Sequence, residues 1–124
     1  MIKILINLSN HSSSIWSEVQ LSEAKEYGDI IDLSFPIVDE NADEQYVKDL
    51  ANTYLEIILD YNKPNHNITV HLMGEMTFSY ALLKLLQEQG IKCIASTTKR
   101  IVLGEKPGIK EEVVFEFCRF REYV

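Results

Sequence analysis

Three short segments of this chain carry residue types that could act on a small anionic ligand: Asn7-Leu8-Ser9-Asn10-His11, Met73-Gly74-Glu75-Met76-Thr77 and Ser96-Thr97-Thr98-Lys99-Arg100. A glycine lets backbone approach a ligand closely, and a helix starting just after it presents unpaired N–H groups that suit phosphate. Ser9, Asn10, Thr77, Thr97 and Thr98 are short hydrogen-bonding side chains, and Lys99 and Arg100 add positive charge. Arg119 and Arg121 share one face of a strand by the period of two. Counting back from a turn at Glu105-Lys106-Pro107-Gly108 sets Arg119 opposite Ser96, at the same edge.

Each of these features also has a plain structural reading. His11 sits in a polar loop, as a solvated histidine would. His71 alternates within an apolar strand and reads as a satisfied core or interface histidine, while His66 reads as exposed. Glu75 at a helix start complements the helix dipole. Arg119 and Arg121 can pair with Glu112, Glu116 or Glu122, and Thr97-Thr98 is ordinary strand composition.

What is missing narrows the chemistry. No G-x-G-x-x-G follows the first strand, and there is no Walker loop, H-E-x-x-H or nucleophile elbow. His, Cys and carboxylates are not spaced as metal ligands, so neither a metal nor another cofactor is expected. The residues alone support an α/β domain with a small anion site.

These segments need elements to position them. Residues 2–8 form an apolar run of the kind a buried parallel strand shows. Ser17-x-x-Gln20 fits a capping box, with Ile15 or Trp16 as a hydrophobic staple, and predicts a helix running to about Tyr27 and stopped by Gly28. A second strand spans Asp29 to Leu33. Asn41-x-x-Glu44 predicts the cap of a second helix, on which Val47, Leu50, Ala51, Tyr54, Ile58 and Tyr61 recur at helical spacing. Ile68 to Met73 is a third strand. Gly74 opens a third helix, Gly90 closes it, and a fourth strand starts at Ile91. Residues 92–104 and 111–123 are both β-like, which predicts a C-terminal β-hairpin.

The fold class expected is therefore α/β: a Rossmann-like, doubly wound, mostly parallel sheet with a C-terminal β-hairpin, in one domain spanning 1–124. In strand order 2-1-3-4 the switch point falls between strands one and three, where ligands bind beyond the carboxyl ends. The alternating Val113, Phe115 and Phe117 on a protruding hairpin arm need cover, which predicts a homodimer.

The composition sets outer bounds. The chain has 124 residues, 46% hydrophobic and 25% charged, with a net charge of −7. That charge argues against a footprint on duplex DNA, which needs a basic face. No run of 18 apolar residues exists, so no membrane span is expected. Cys93 and Cys118 lack metal-knuckle or redox spacing, and both are expected to behave as small hydrophobes in strands of a cytoplasmic protein.

The three segments, together with Ser17-x-x-Gln20 and the closing Arg119-Phe120-Arg121-Glu122-Tyr123, resemble the small CRISPR-associated accessory proteins of type III loci, the ring-nuclease-like group with a CARF-type Rossmann fold. The similarity spans nearly the whole chain in order. It implies binding, and cleavage, of cyclic oligoadenylate, a cyclic RNA second messenger of antiviral defence. The alternatives are a non-catalytic sensor or sponge for that ring, or a structural dimeric accessory protein. The rotational symmetry of such a ring suits a two-fold homodimer. Cleavage needs no metal if the ribose 2′-hydroxyl is held in line with its own phosphate. The resemblance then implies charge stabilisation by Arg119, Lys99 or Arg100, phosphate orientation by Ser9 and Thr97, and proton movement by His11. Asn10, Gly74, Glu75, Met76, Thr77, Thr98 and Arg121 complete the implied ligand contacts.

Overall fold

The computed structural model describes residues 1–104, 108 and 112–124. Five strands form one sheet: β1 (Ile2–Ser9), β2 (Asp29–Asp32), β3 (His66–Met73), β4 (Lys92–Leu103) and β5 (Glu112–Glu122). Their order is β2-β1-β3-β4-β5, parallel except for the antiparallel β4–β5 pair. The α-helices among the described residues are α1 (Glu18–Ala24), α2 (Glu44–Leu59) and α3 (Met76–Glu88). None of them is long and apolar enough to cross a membrane.

The near-continuous apolar strands are buried on both faces. Ile4, Ile6 and Leu8 of β1 join Ile68, Val70 and Leu72 of β3 under α2 and α3, where Ala51, Ile58, Phe78, Leu82 and Leu86 complete the larger core. Leu5, Ile94 and Phe120 face the other way, against Trp16 and Ala24. That second face is covered by α1 alone. At seven residues, this helix is only about 10 Å long. Toward the carboxyl ends of the strands the inward side chains of this face turn polar at Asn7, His71 and Ser96, with Trp16 packed against the His71 ring.

Several local expectations shift. Ser17 caps α1 by accepting from the Gln20 N–H, but the Gln20 side chain does not return to close the box. The helix ends at Ala24 rather than Tyr27. Gly28 follows a further turn, with φ +133°, where a Cβ would lie 2.3 Å from the Lys3 carbonyl group. The cap of α2 is Asp43, not Asn41, because the Asp43 carboxylate reaches the Tyr46 N–H. His66 opens β3 and is half-buried, with Nδ1 2.8 Å from the Tyr61 carbonyl oxygen. Cys93 is buried as expected, but Cys118 is exposed.

The hairpin register differs by one residue from the count. Thr97, not Ser96, faces Arg119, and Ser96 faces Phe120. A β-bulge follows: Thr98 pairs with Phe117, leaving Cys118 as the extra residue. The expected turn at 105–108 lies outside the described residues apart from Gly108.

Candidate functional site

Two polar residues stand side by side in the middle of the sheet. Asn7 of β1 and His71 of β3 are register partners, and both are 2% exposed. Buried polar groups must be paired, and here the pairing defines the chemistry. The Asn7 amide Nδ2 donates to the His11 carbonyl oxygen at 2.8 Å and to Asp32 Oδ1 at 2.9 Å. Both are acceptors only, so Asn7 Oδ1 is turned toward His71 Nδ1, 2.9 Å away. Nδ1 therefore carries the imidazole proton, and Nε2 is left as an acceptor for the Ser96 hydroxyl at 2.7 Å. Ser96 Oγ accepts in turn from Gln20 Nε2 at 3.1 Å.

The chain of bonds is anchored at its far end. Asp32 Oδ1 accepts the Ser13 N–H at 3.0 Å and Asp32 Oδ2 the Ser13 hydroxyl at 2.6 Å. Partial burial pushes the Asp32 carboxyl up, but the Ser13 and Asn7 hydrogen bonds outweigh it and hold the group below the usual carboxylate range. Trp16 and Phe120 stand edge-on to the His71 ring at 5.2 and 5.5 Å. Burial among them pushes the imidazole down to about 4, so His71 is neutral at pH 7.

Above this row opens a cavity of about 600 Å³. Its walls are aromatic, from Trp16, Phe115 and Phe117, and its floor holds Gln20, His71, Ser96 and Thr98. Ser9, Asn10, His11 and Gly74 border it from the ends of β1 and β3 and the loops that follow. Among the described residues, its lining includes no Lys, Arg, Asp or Glu.

The other expected residues lie apart from it. Arg100 pairs with Phe115 across the hairpin and so shares the cavity's face, beyond the lining. Thr97, Lys99, Arg119 and Arg121 alternate onto the opposite face. The Thr97 hydroxyl donates to the Arg119 carbonyl oxygen at 3.1 Å, and Arg119 Nε donates to the Phe120 carbonyl oxygen at 3.1 Å. Glu75 is the N-cap of α3: its carboxylate accepts from the Thr77 and Phe78 N–H groups at 3.0 and 2.8 Å and from the Thr77 hydroxyl. Those bonds, that of the Thr77 hydroxyl foremost, hold its carboxyl below the usual value. The helix start read as a phosphate cradle is thus occupied by the chain's own carboxylate. Met76 is largely exposed and is not among the residues lining the cavity.

Asn7, Asp32 and His71 were not expected as site residues, and neither were Trp16, Gln20, Phe115 and Phe117. One signal could have found the first and third: a polar residue at mid-length in each of two apolar runs that the topology makes neighbours.

Residues 3–121 match the uncharacterized protein MJ1673 family. The chain belongs to that family. The matched span contains every residue lining the cavity. No curated protein matches the chain. Among the described residues, no group of three or more His, Cys, Asp or Glu side chains is placed to hold a metal ion.

Proposed function

We propose that this protein binds cyclic oligoadenylate in the cavity above His71 and Ser96, and opens the ring by attack of a ribose 2′-hydroxyl on its own phosphate. The resemblance names the ligand class, and one observation supports it: the cavity joins aromatic walls to a neutral, hydrogen-bonding floor. Such a site suits a purine, which presents a π-face to Trp16, Phe115 or Phe117 and donor and acceptor edges to Ser96, Gln20 and Thr98. An adenine seated there would leave its phosphates at the rim, on the side of Arg100 and of the His11 loop. We read the strand order, with helices on both faces, as a Rossmann-like, doubly wound arrangement whose ligand lies at the β1–β3 switch point.

The ring's symmetry calls for two copies. Phe115 is 67% exposed on edge strand β5, with Val113 beside it on the same face, and an unpaired apolar edge favours association. A homodimer joined through the hairpins would cover that edge. Two free thiols, Cys93 and Cys118, fit a reducing compartment, so we place the reaction in the cytoplasm.

The deciding experiment incubates pure protein with cyclic tetra- and hexa-adenylate in EDTA and resolves the products by chromatography, beside equilibrium dialysis and light scattering. Ring opening by a dimer supports the reading. Retention without cleavage reduces it to a sensor, and neither retention nor cleavage refutes it.

A further inference from the structure

Ser96, His71 and Asn7 are aligned as nucleophile, base and orienting group. The Ser96 hydroxyl donates to His71 Nε2 at 2.7 Å, and His71 Nδ1–H donates to Asn7 Oδ1 at 2.9 Å. A serine hydroxyl becomes nucleophilic when an imidazole held in the right tautomer takes its proton. Asn7 fixes that tautomer because its own amide is committed to Asp32 and the His11 carbonyl. Two donors flank the Ser96 hydroxyl and are available to a developing oxyanion. Gln20 Nε2 lies 3.1 Å from Ser96 Oγ, and the Ser96 backbone N–H is spent on the Met73 thioether sulfur at 3.1 Å. A thioether is a weak acceptor, readily exchanged for an oxyanion.

We propose that Ser96 is a nucleophilic serine that attacks an uncharged ester or similarly activated acyl group bound in the aromatic-walled cavity. Ser96 Oγ forms a bond to the carbonyl carbon while its proton moves to His71 Nε2. The carbonyl π-electrons move onto oxygen, which the Ser96 N–H and the Gln20 amide stabilise. Collapse of this intermediate expels the alcohol, which leaves with the proton from His71. Water, deprotonated by His71, then releases the acid and restores the serine. The substrate is uncharged because, among the described residues, the lining offers neither cation nor carboxylate. Asn7 is a positioning residue. It gives the imidazolium less support than a carboxylate would, so turnover is slow. The inference does not rest on the ring-ligand reading.

The test treats the protein with an alkyl fluorophosphonate, which Ser96 Oγ would attack at phosphorus with loss of fluoride, and locates the adduct by peptide mass mapping. One adduct is expected, on Ser96, absent from Ser96→Ala and formed at least tenfold more slowly by His71→Gln. The labelling rate of the unaltered protein is expected to be flat from pH 6 to 9, because the base is already neutral there. p-Nitrophenyl butyrate should release one equivalent of p-nitrophenolate in a burst. A folded protein that stays unlabelled, or that labels at Ser9 or Ser13, overturns the proposal. So does a rate that climbs tenfold per pH unit, as an unactivated hydroxyl would show; this readout needs no variant to fold. Cleavage of cyclic oligoadenylate by a protein whose Ser96 stays unlabelled would sink this inference and leave the ring reading standing.

Discussion

Gly74 lies against the ring of Phe35, and a Cβ added at position 74 would fall 2.2 Å from Phe35 Cζ. Phe35 is itself fixed, edge-on to Phe78 at 5.3 Å in the larger core. Glycine is needed here for space rather than for a ligand, although Gly74 also borders the cavity. Gly74→Ala should destabilise the fold by about 1–3 kcal/mol, the usual scale of an overpacked core, read as a lower urea midpoint. An unchanged midpoint would mean that Phe35 swings aside freely.

Glu75 takes up the N–H groups at the start of α3, so its removal is a stability effect. Glu75→Ala should cost about 1 kcal/mol at pH 7, as the loss of an N-cap does. The sign with pH follows from the depressed carboxyl. Its contribution is fully present above the ordinary value of 4.5 and fades as pH falls through the lower folded value. The gap between the two proteins in thermal melts should therefore narrow in acid. A gap that did not narrow at all as the pH was lowered below 4.5 would assign the effect to something other than the carboxylate.

His71 obeys the same sign, although its favoured form is neutral rather than charged. Its folded value of about 4 lies below the ordinary 6.5, so between these values the unfolded chain binds the extra proton. Stability from this group is complete above pH 6.5 and declines as pH falls toward 4, by on the order of 3 kcal/mol. Long-range ¹⁵N NMR should show neutral imidazole with the proton on Nδ1 through the upper part of that window, charging only as pH approaches 4. A His71 signal titrating near 6.5 would contradict the buried network.

Of the cations considered for charge stabilisation, the geometry separates Arg100 from Arg119. Arg100 shares a face with Phe115 and the cavity, whereas Arg119 faces away and bonds its own strand. For cyclic oligoadenylate, Arg100→Ala should weaken binding by roughly 1.5–3 kcal/mol, the scale of a charged hydrogen bond. Arg119→Ala should leave affinity within about twofold. Isothermal titration of both variants decides the point, and the reverse ranking would place the phosphates on the other face of the hairpin.

The sheet was legible because its signals are local. Apolar runs such as Ile4 to Leu8, helix-spaced residues such as Leu50, Ala51 and Tyr54, and the glycine after α3 act within a few residues. The site was much less so, because it is built from contacts far apart in sequence. Ser17-x-x-Gln20 reads as a closed box, yet the Gln20 amide leaves it for Ser96. Asn41 and Asp43 are both good caps, and only the path of the chain selects Asp43. A lone histidine in a strand looks inert until Asn7 is placed beside it. Arg119 was misplaced by one residue, and in a strand one residue is the difference between the two faces.

The bulge at Cys118 determines which side of the sheet receives the aromatic band. Had the ladder stayed regular, Thr98 would oppose Cys118, and every residue from Phe117 back to Glu112 would be turned over. Val114 and Glu116 would then border the cavity, and Phe115 and Phe117 would look out on the opposite side. No side chain need change for this to happen, only the loss of the bulge at unchanged length. Deleting Cys118, or adding one residue next to it, would let the strand alternate regularly and keep the phenylalanines where they are. The wall of the cavity is thus written as an odd or even count, and a single unpaired residue holds it in place.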